Sequence, residues 1–196
     1  MLNRTTYFIR EHLGLLKLSD AYDILDPETQ QQIGVAKEEI SGLMKALRLV
    51  VNKQMLPTTI NAYEANGPEE IGALQFSIKR GFTLMRSKVK VLNGQGEELG
   101  YFQSKLFSLG GAFRVFTPDD REVALVKGDW KGFNFRFLRG EEEIGTVTKQ
   151  WGGVGKELFT TADNYVVSLN GAQDPAMNTL LLAAGLAVDC VYKENK

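Results

Sequence analysis

"MNTLLLAAGLAVDCVYKE", Met177–Glu194, is the most apolar stretch of the chain. Whether it crosses a bilayer or is enclosed by protein decides the fold. From Ala176 to Tyr192 it measures about 26 Å as a helix, short of the roughly 30 Å of a hydrocarbon core. Asn178, Thr179 and Asp189 interrupt it, and a charge near the bilayer centre costs about 2.5–3.5 kcal/mol on insertion scales. Its uninterrupted apolar run, Leu180 to Val188, is rich in alanine and glycine. A helix apolar on all sides, short and built from small residues reads as a core helix. Asp174 and Pro175 suit its start and Lys193 its end. A core helix near 176–192 needs walls.

The walls are legible as hairpins. Four segments share one layout: "YDILDPETQQQIGVAKE" from Tyr22, "VKVLNGQGEELGYFQSK" from Val89, "FRVFTPDDREVALVKG" from Phe113 and "FRFLRGEEEIGTVTKQ" from Phe135. Each is a short alternating strand, a polar turn, then an Ile-Gly, Leu-Gly or Val-Ala pair opening a second strand. Asp-Pro-Glu-Thr, Asn-Gly-Gln-Gly, Pro-Asp-Asp and Arg-Gly are turn chemistries that reverse a chain. Phe133, Phe135 and Phe137 alternate with Asn134 and Arg136, the period of a strand with one apolar face. "TYFIR", "TTINAYE", "ALQFSIKR" and "NYVVSL" add further strands. About a dozen strands suffice for a closed barrel or a sandwich, and such a barrel is too wide to fill with its own side chains. A long apolar helix can fill it.

Composition agrees. The chain has 196 residues and twenty glycines against five prolines, the mark of many turns and short strands. A net charge of −1 argues against a general nucleic-acid binder. The lone Cys190 excludes an internal disulfide and a cysteine-rich zinc site. "MLNRTTYFIREHLG" has no apolar run or cleavage site of a signal peptide, so a cytoplasmic location is expected.

Catalytic chemistry is not evident. His12 is the only histidine, and a packed or exposed imidazole is the expectation there. "GGVGKE", Gly152–Glu157, lacks the glycine spacing and the Ser or Thr of a phosphate-binding loop. "NGQGEELG", Asn93–Gly100, has Leu99 where a dinucleotide fingerprint needs glycine, so it reads as a turn. Glu141, Glu142 and Glu143 read as a solvated loop, Trp130 and Trp151 as core or rim aromatics, and Cys190 as inert. No enzyme and no cofactor are expected.

Two basic segments stand out. "FSIKRGFTLMRSKVKV" holds Lys79, Arg80, Arg86, Lys88 and Lys90, with no acidic residue between Lys79 and Lys90. Arg86, Lys88 and Lys90 alternate, so on a strand they share one face, with Val89 and Val91 on the other. Such a face is either a solvated strand kept soluble by lysines or a site for anionic headgroups. "SGLMKALRLVVNKQML", Ser41–Leu56, predicts an amphipathic helix with Leu43, Met44, Leu47, Val50 and Val51 on one arc. Lys45 and Arg48 lie opposite. Packing of that arc on the barrel is expected, and contact with a membrane interface is the alternative.

"GDWKGFNFRFLRGEEEIGTVTKQW", then "ELFTTADNYVVSL", then the terminal helix, resemble the C-terminal half of the phospholipid scramblases and the LURP-one-related proteins. The "YDILDPETQQQIGVAKEE" and "GYFQSKLFSLGGAFRVF" segments match earlier parts of that family more loosely. The resemblance implies a tubby C-terminal-like fold: mainly β, a closed antiparallel barrel of about twelve strands around a central C-terminal hydrophobic helix. On that reading residues 1–196 form one barrel domain. Scramblases of this family carry a proline-rich extension, a cysteine cluster for palmitoylation and a calcium-binding acidic segment. Here the matching segment, "ADNYVVSLNGAQD", holds only Asp163 and Asp174 as carboxylates, too few for the six to eight oxygens of calcium. The LURP-one-like branch is the closer match. Tubby-like domains bind phosphoinositides through basic strand residues, so anionic phospholipid at a membrane surface is the expected partner of Lys79, Arg80, Arg86, Lys88 and Lys90, with Lys45 and Arg48 as a second candidate set. A protein-binding scaffold and a lipid transporter with an inserted terminal helix are the alternatives.

Overall fold

The computed structural model describes residues 1–12, 20–47, 50–51, 56–66, 70–81, 88–104, 112–129, 132–149, 164–171 and 174–189. Strands β1 (Thr6–Glu11), β2 (Ala21–Leu25) and β3 (Gln32–Glu39) precede a short helix, α1 (Gly42–Leu47). Then follow β4 (Thr58–Ala65), β5 (Ile71–Arg80), β6 (Lys88–Asn93), β7 (Glu98–Ser104) and β8 (Ala112–Phe116). The last strands are β9 (Glu122–Asp129), β10 (Asn134–Arg139), β11 (Glu142–Lys149) and β12 (Asn164–Leu169), before helix α2 (Pro175–Ala187). Every strand is antiparallel to its sequence neighbours and β12 returns to pair with β1, so the twelve strands close a barrel. Closure leaves no unpaired strand edge.

The shared layout of the four hairpins has a structural cause. In each, the apolar member of the pair is an extra residue in the ladder: Gly34 opposes Ile24 while Gln32 opposes Leu25, which leaves Ile33 as a bulge. Leu99, Val123 and Ile144 occupy the same place in β6–β7, β8–β9 and β10–β11. All four bulged residues pack against the core. The small residue that follows lets the strand approach its neighbours: a Cβ at Gly145 would lie 2.6 Å from Ser168 O and 2.9 Å from Phe137 Cδ2. A Cβ at Gly100 would run into the Phe116 carbonyl and the Leu180 side chain. A bulge sharpens local twist and bends the strand, and four of them curve the sheet toward closure.

Helix α2 fills the interior. Asp174 caps it, its Oδ1 accepting from Met177 N at 3.0 Å, and Pro175 opens the first turn. From Asn178 to Ala187 every residue is buried, and Val188 and Asp189 continue the buried run. Inward-facing Phe76, Phe102, Phe113, Phe135, Phe137 and Val167 belong to one apolar cluster with the α2 leucines, each of which contributes about 1.5–3 kcal/mol on full burial. The wall lies close at Gly185, since a Cβ there would meet Val167 Cγ2 at 2.7 Å. The expected span to Tyr192, with Cys190, extends beyond the described residues, as do Trp130, Trp151 and Gly152–Glu157.

The two ends of the barrel differ. The hairpin turns and the start of α2 gather at one end, the turn end, with Leu180 beside Gly100. At the opposite end lie α1, the starts of β4 and β6, the close of β5 and the last turn of α2. The helix expected over Ser41–Leu56 is corrected here: the described helix is only Gly42–Leu47, and Val50 is 81% exposed instead of packed. The strands that flank it turn Glu39 and Thr59 outward as cross-strand partners, so the barrel wall offers no apolar strip to cover that arc.

Candidate functional site

Along β5 and β6 the strand period sorts the basic residues. Lys79 and Lys90 are directly opposite one another and point outward, and Lys88 follows two residues from Lys90 on the same face. Val89 and Val91, which alternate with them, are fully buried. Arg80 does not join this face. Being adjacent to Lys79 on a strand, it must point the other way, and it is 5% exposed, its Nη2 donating to Leu56 O at 3.3 Å and to Thr58 Oγ1 at 3.1 Å. Burial removes Arg80 from any headgroup site on the outer wall. Arg86 and Arg48 lie outside the described residues, while Lys45 is exposed on α1. The structure thus brings together Lys79, Lys88 and Lys90.

Their electrostatics are not those of a bare basic strip. Two like charges facing each other across a ladder repel, and Lys90 is relieved by Glu98, whose Oε2 lies 2.7 Å from its Nζ. Lys88 lies 3.9 Å above the Tyr101 ring centroid and 3.6 Å from Asp120 Oδ1. The Tyr101 hydroxyl donates to that same oxygen at 2.6 Å, and its ring stacks on Phe116 at 5.0 Å. Hydrogen bonding to Asp120, with burial, raises the Tyr101 pKa, and the same bond, with the Lys88 charge, lowers that of Asp120. Lys79 has no ion-pair partner among the described residues. It is the freest cation of the face.

Sequence reasoning missed Tyr101, Glu98 and Asp120. Tyr101 pairs with Lys90 across β6–β7, while Asp120 arrives from the β8–β9 turn, where its own φ is +62°. Only the register places these three beside the lysines, and the alternation of basic residues carries no trace of it. Of the run expected as a loop, Glu141 is in the turn while Glu142 and Glu143 open β11; all three are exposed.

The lone histidine belongs to another outward cluster. His12 Nε2 lies 2.7 Å from Asp23 Oδ1, which also accepts from Gln32 Nε2 at 2.9 Å, while Arg10 Nη2 donates to Asp23 Oδ2 at 2.8 Å. This ties β1, β2 and β3 together on the outside. In the segment matched to a calcium site, Asp163 lies outside the described residues and Asp174 is engaged as the α2 cap. Among the described residues no helix is long and apolar enough to cross a membrane.

The family described as Scramblase matches residues 22–195, from β2 past the end of α2. Phospholipid scramblase 1 of mouse is 32% identical over 62 residues, covering 32% of this chain and 19% of that protein. The rat protein of the same name is 32% identical over 62 residues, with 18% of its length covered. The aligned stretch is thus about a fifth of those curated relatives. No solved structure matches. The family match spans nearly the whole barrel, and the chain belongs to the Scramblase family.

Proposed function

We propose that this chain is a non-enzymatic, cytoplasmic lipid-binding module, one barrel unit over residues 1–196, that docks peripherally on anionic phospholipid. The observation that carries this reading is the family match across the barrel, which supports a phospholipid-related role. The outward lysines supply a chemistry for it. Lys79, Lys88 and Lys90 are clustered and exposed, with Arg86 close in sequence and Lys45 and Arg48 as a second source of charge. Each basic residue near an anionic surface is worth about 1 kcal/mol, so three to five give weak to moderate binding without apolar insertion. The transporter reading requires α2 to leave the barrel. Burial of Leu180–Val188 weighs against that, because withdrawal would empty the interior of its filling.

Flotation with phosphatidylcholine vesicles, with and without phosphatidylserine, tests the proposal. Binding is expected only with the anionic lipid, and it should weaken as salt shortens the Debye length from about 10 Å at 0.1 M to about 3 Å at 1 M. Changing Lys79, Lys88 and Lys90 together to Ser should remove most of it, with circular dichroism unchanged because all three point away from the core. Retained binding in a Lys45, Arg48 double-Ser variant assigns it to the strands. A wild-type chain that ignores anionic vesicles at low salt makes the lysines a solvated face and favours a protein-binding scaffold.

A further inference from the structure

Charge and apolar exposure are distributed unevenly along the barrel axis. The turn end carries exposed carboxylates in four of its hairpin turns: Glu28, Glu97, Asp119 and Asp120, Glu141. Arg121 and Arg139 are the basic residues within those four turns and their flanks, and Arg4, before β1, is paired with the buried Asp26. The opposite end is the reverse. Lys37, Lys45, Lys79 and Lys127 are exposed toward it, Lys88 being turned along the wall to Asp120, and three of its carboxylates, Glu11, Glu38 and Asp189, are buried. Among the described residues Glu39 and Asp129 are its exposed acids, and Glu39 is occupied by the Tyr63 hydroxyl at 2.9 Å. The two large hydrophobic residues most exposed among the described residues also divide: Val50, 81% exposed, follows α1 at the basic end, and Ile71, 48% exposed, opens β5 at the acidic one.

We propose that the barrel meets an anionic phospholipid surface end-on, with Val50, Lys45 and Lys79 against the headgroups and the acidic hairpin turns facing water. This orientation rests on the lipid-binding reading above and deepens it. Strands of five to ten residues separate the ends by about 20 Å, while the Debye length at physiological salt is about 8 Å. A charged surface therefore attracts the near end and scarcely senses the far one. In the reverse orientation the carboxylates of several turns would meet the phosphates. A side-on approach through β5 and β6 is weaker, because Glu98 and Asp120 already sit beside Lys90 and Lys88. An exposed valine next to a lysine-bearing helix is the pairing of apolar and basic contacts that interfacial binding uses.

Two single substitutions decide it, read by flotation on phosphatidylserine-containing vesicles. Val50→Asp should weaken binding about tenfold or more, since it removes an apolar contact and places a carboxylate against the headgroups. Ile71→Asp should leave binding within about twofold, its site lying more than a Debye length from the surface. Lys45→Glu, on the same exposed end, serves as the second probe if Val50→Asp does not fold, and should weaken binding likewise. Loss with Ile71→Asp but not Val50→Asp overturns the orientation in favour of its reverse. Full binding in all three variants overturns it in favour of the β5–β6 wall. If the unmodified chain does not float, the lipid-binding reading itself fails, an outcome distinct from either.

Discussion

Asp26 shows how much one carboxylate can organise. Its Oδ1 accepts from Glu28 N at 2.8 Å and Thr29 N at 3.0 Å, and Arg4 pairs with Oδ2. The backbone donors of Thr29 and Glu28, then Arg4, hold its pKa below the ordinary carboxylate value. A depressed folded-state pKa gives a contribution that is complete above the unfolded value of about 3.9 and fades as pH falls below it. Asp26→Asn keeps an acceptor but not the charge. Urea unfolding should therefore find the variant less stable at pH 7 and the gap closing below about pH 4. A gap that stays constant down to pH 2 would mean the charge plays no part. The residue scale also explains an error of grouping. Taken as a run of charge, Lys79 and Arg80 belong together; taken by strand parity they face opposite sides, and the second reading was available in the sequence. The pairing of Lys90 with Glu98 was not, because it depends on a register that shifts at a bulge.

Among the elements, the hairpins were the most legible, since alternation and turn residues are local signals. The recurrent apolar–small pair was visible too, but its meaning required the ladder: only there does Ile144 appear as the extra residue and Gly145 as the point of close approach. Gly145→Ala should cost about 1–3 kcal/mol, because the new Cβ meets a backbone carbonyl that cannot swing aside. Ala124 holds the equivalent place in β9 and already carries a Cβ. Ala124→Gly should cost about 0.5–1 kcal/mol through backbone entropy. Denaturant melts of the two variants check the contrast, and a neutral Gly145→Ala would show that the wall does not close as tightly there. The segment Ser41–Leu56 was misread for a complementary reason. Its periodicity is real, but a helix packs only where a surface receives it, and the outer wall at β3 and β4 is polar.

For the whole molecule, the closed barrel and its buried helix depend on each other. Twelve strands enclose a space their own side chains cannot fill, and α2 cannot stay in water with an apolar surface on every side. The composition of that helix, with small residues where the wall lies close, was readable; the end-to-end segregation of charge was not, since it arises from which turns meet in space. On the proposed function the barrel binds lipid from outside with α2 still enclosed. A disulfide between α2 and the wall tests this directly. A Cβ at Gly185 would lie 2.7 and 3.1 Å from the two Cγ atoms of Val167, which puts the two Cβ atoms about 3.5 Å apart, within reach of a bridge. Val167→Cys with Gly185→Cys, in a Cys190→Ser background, would lock the helix in place once oxidised. The oxidised and reduced proteins should float equally well on phosphatidylserine-containing vesicles; loss of binding on oxidation, restored by reductant, would show that the helix must leave the barrel and would contradict the account.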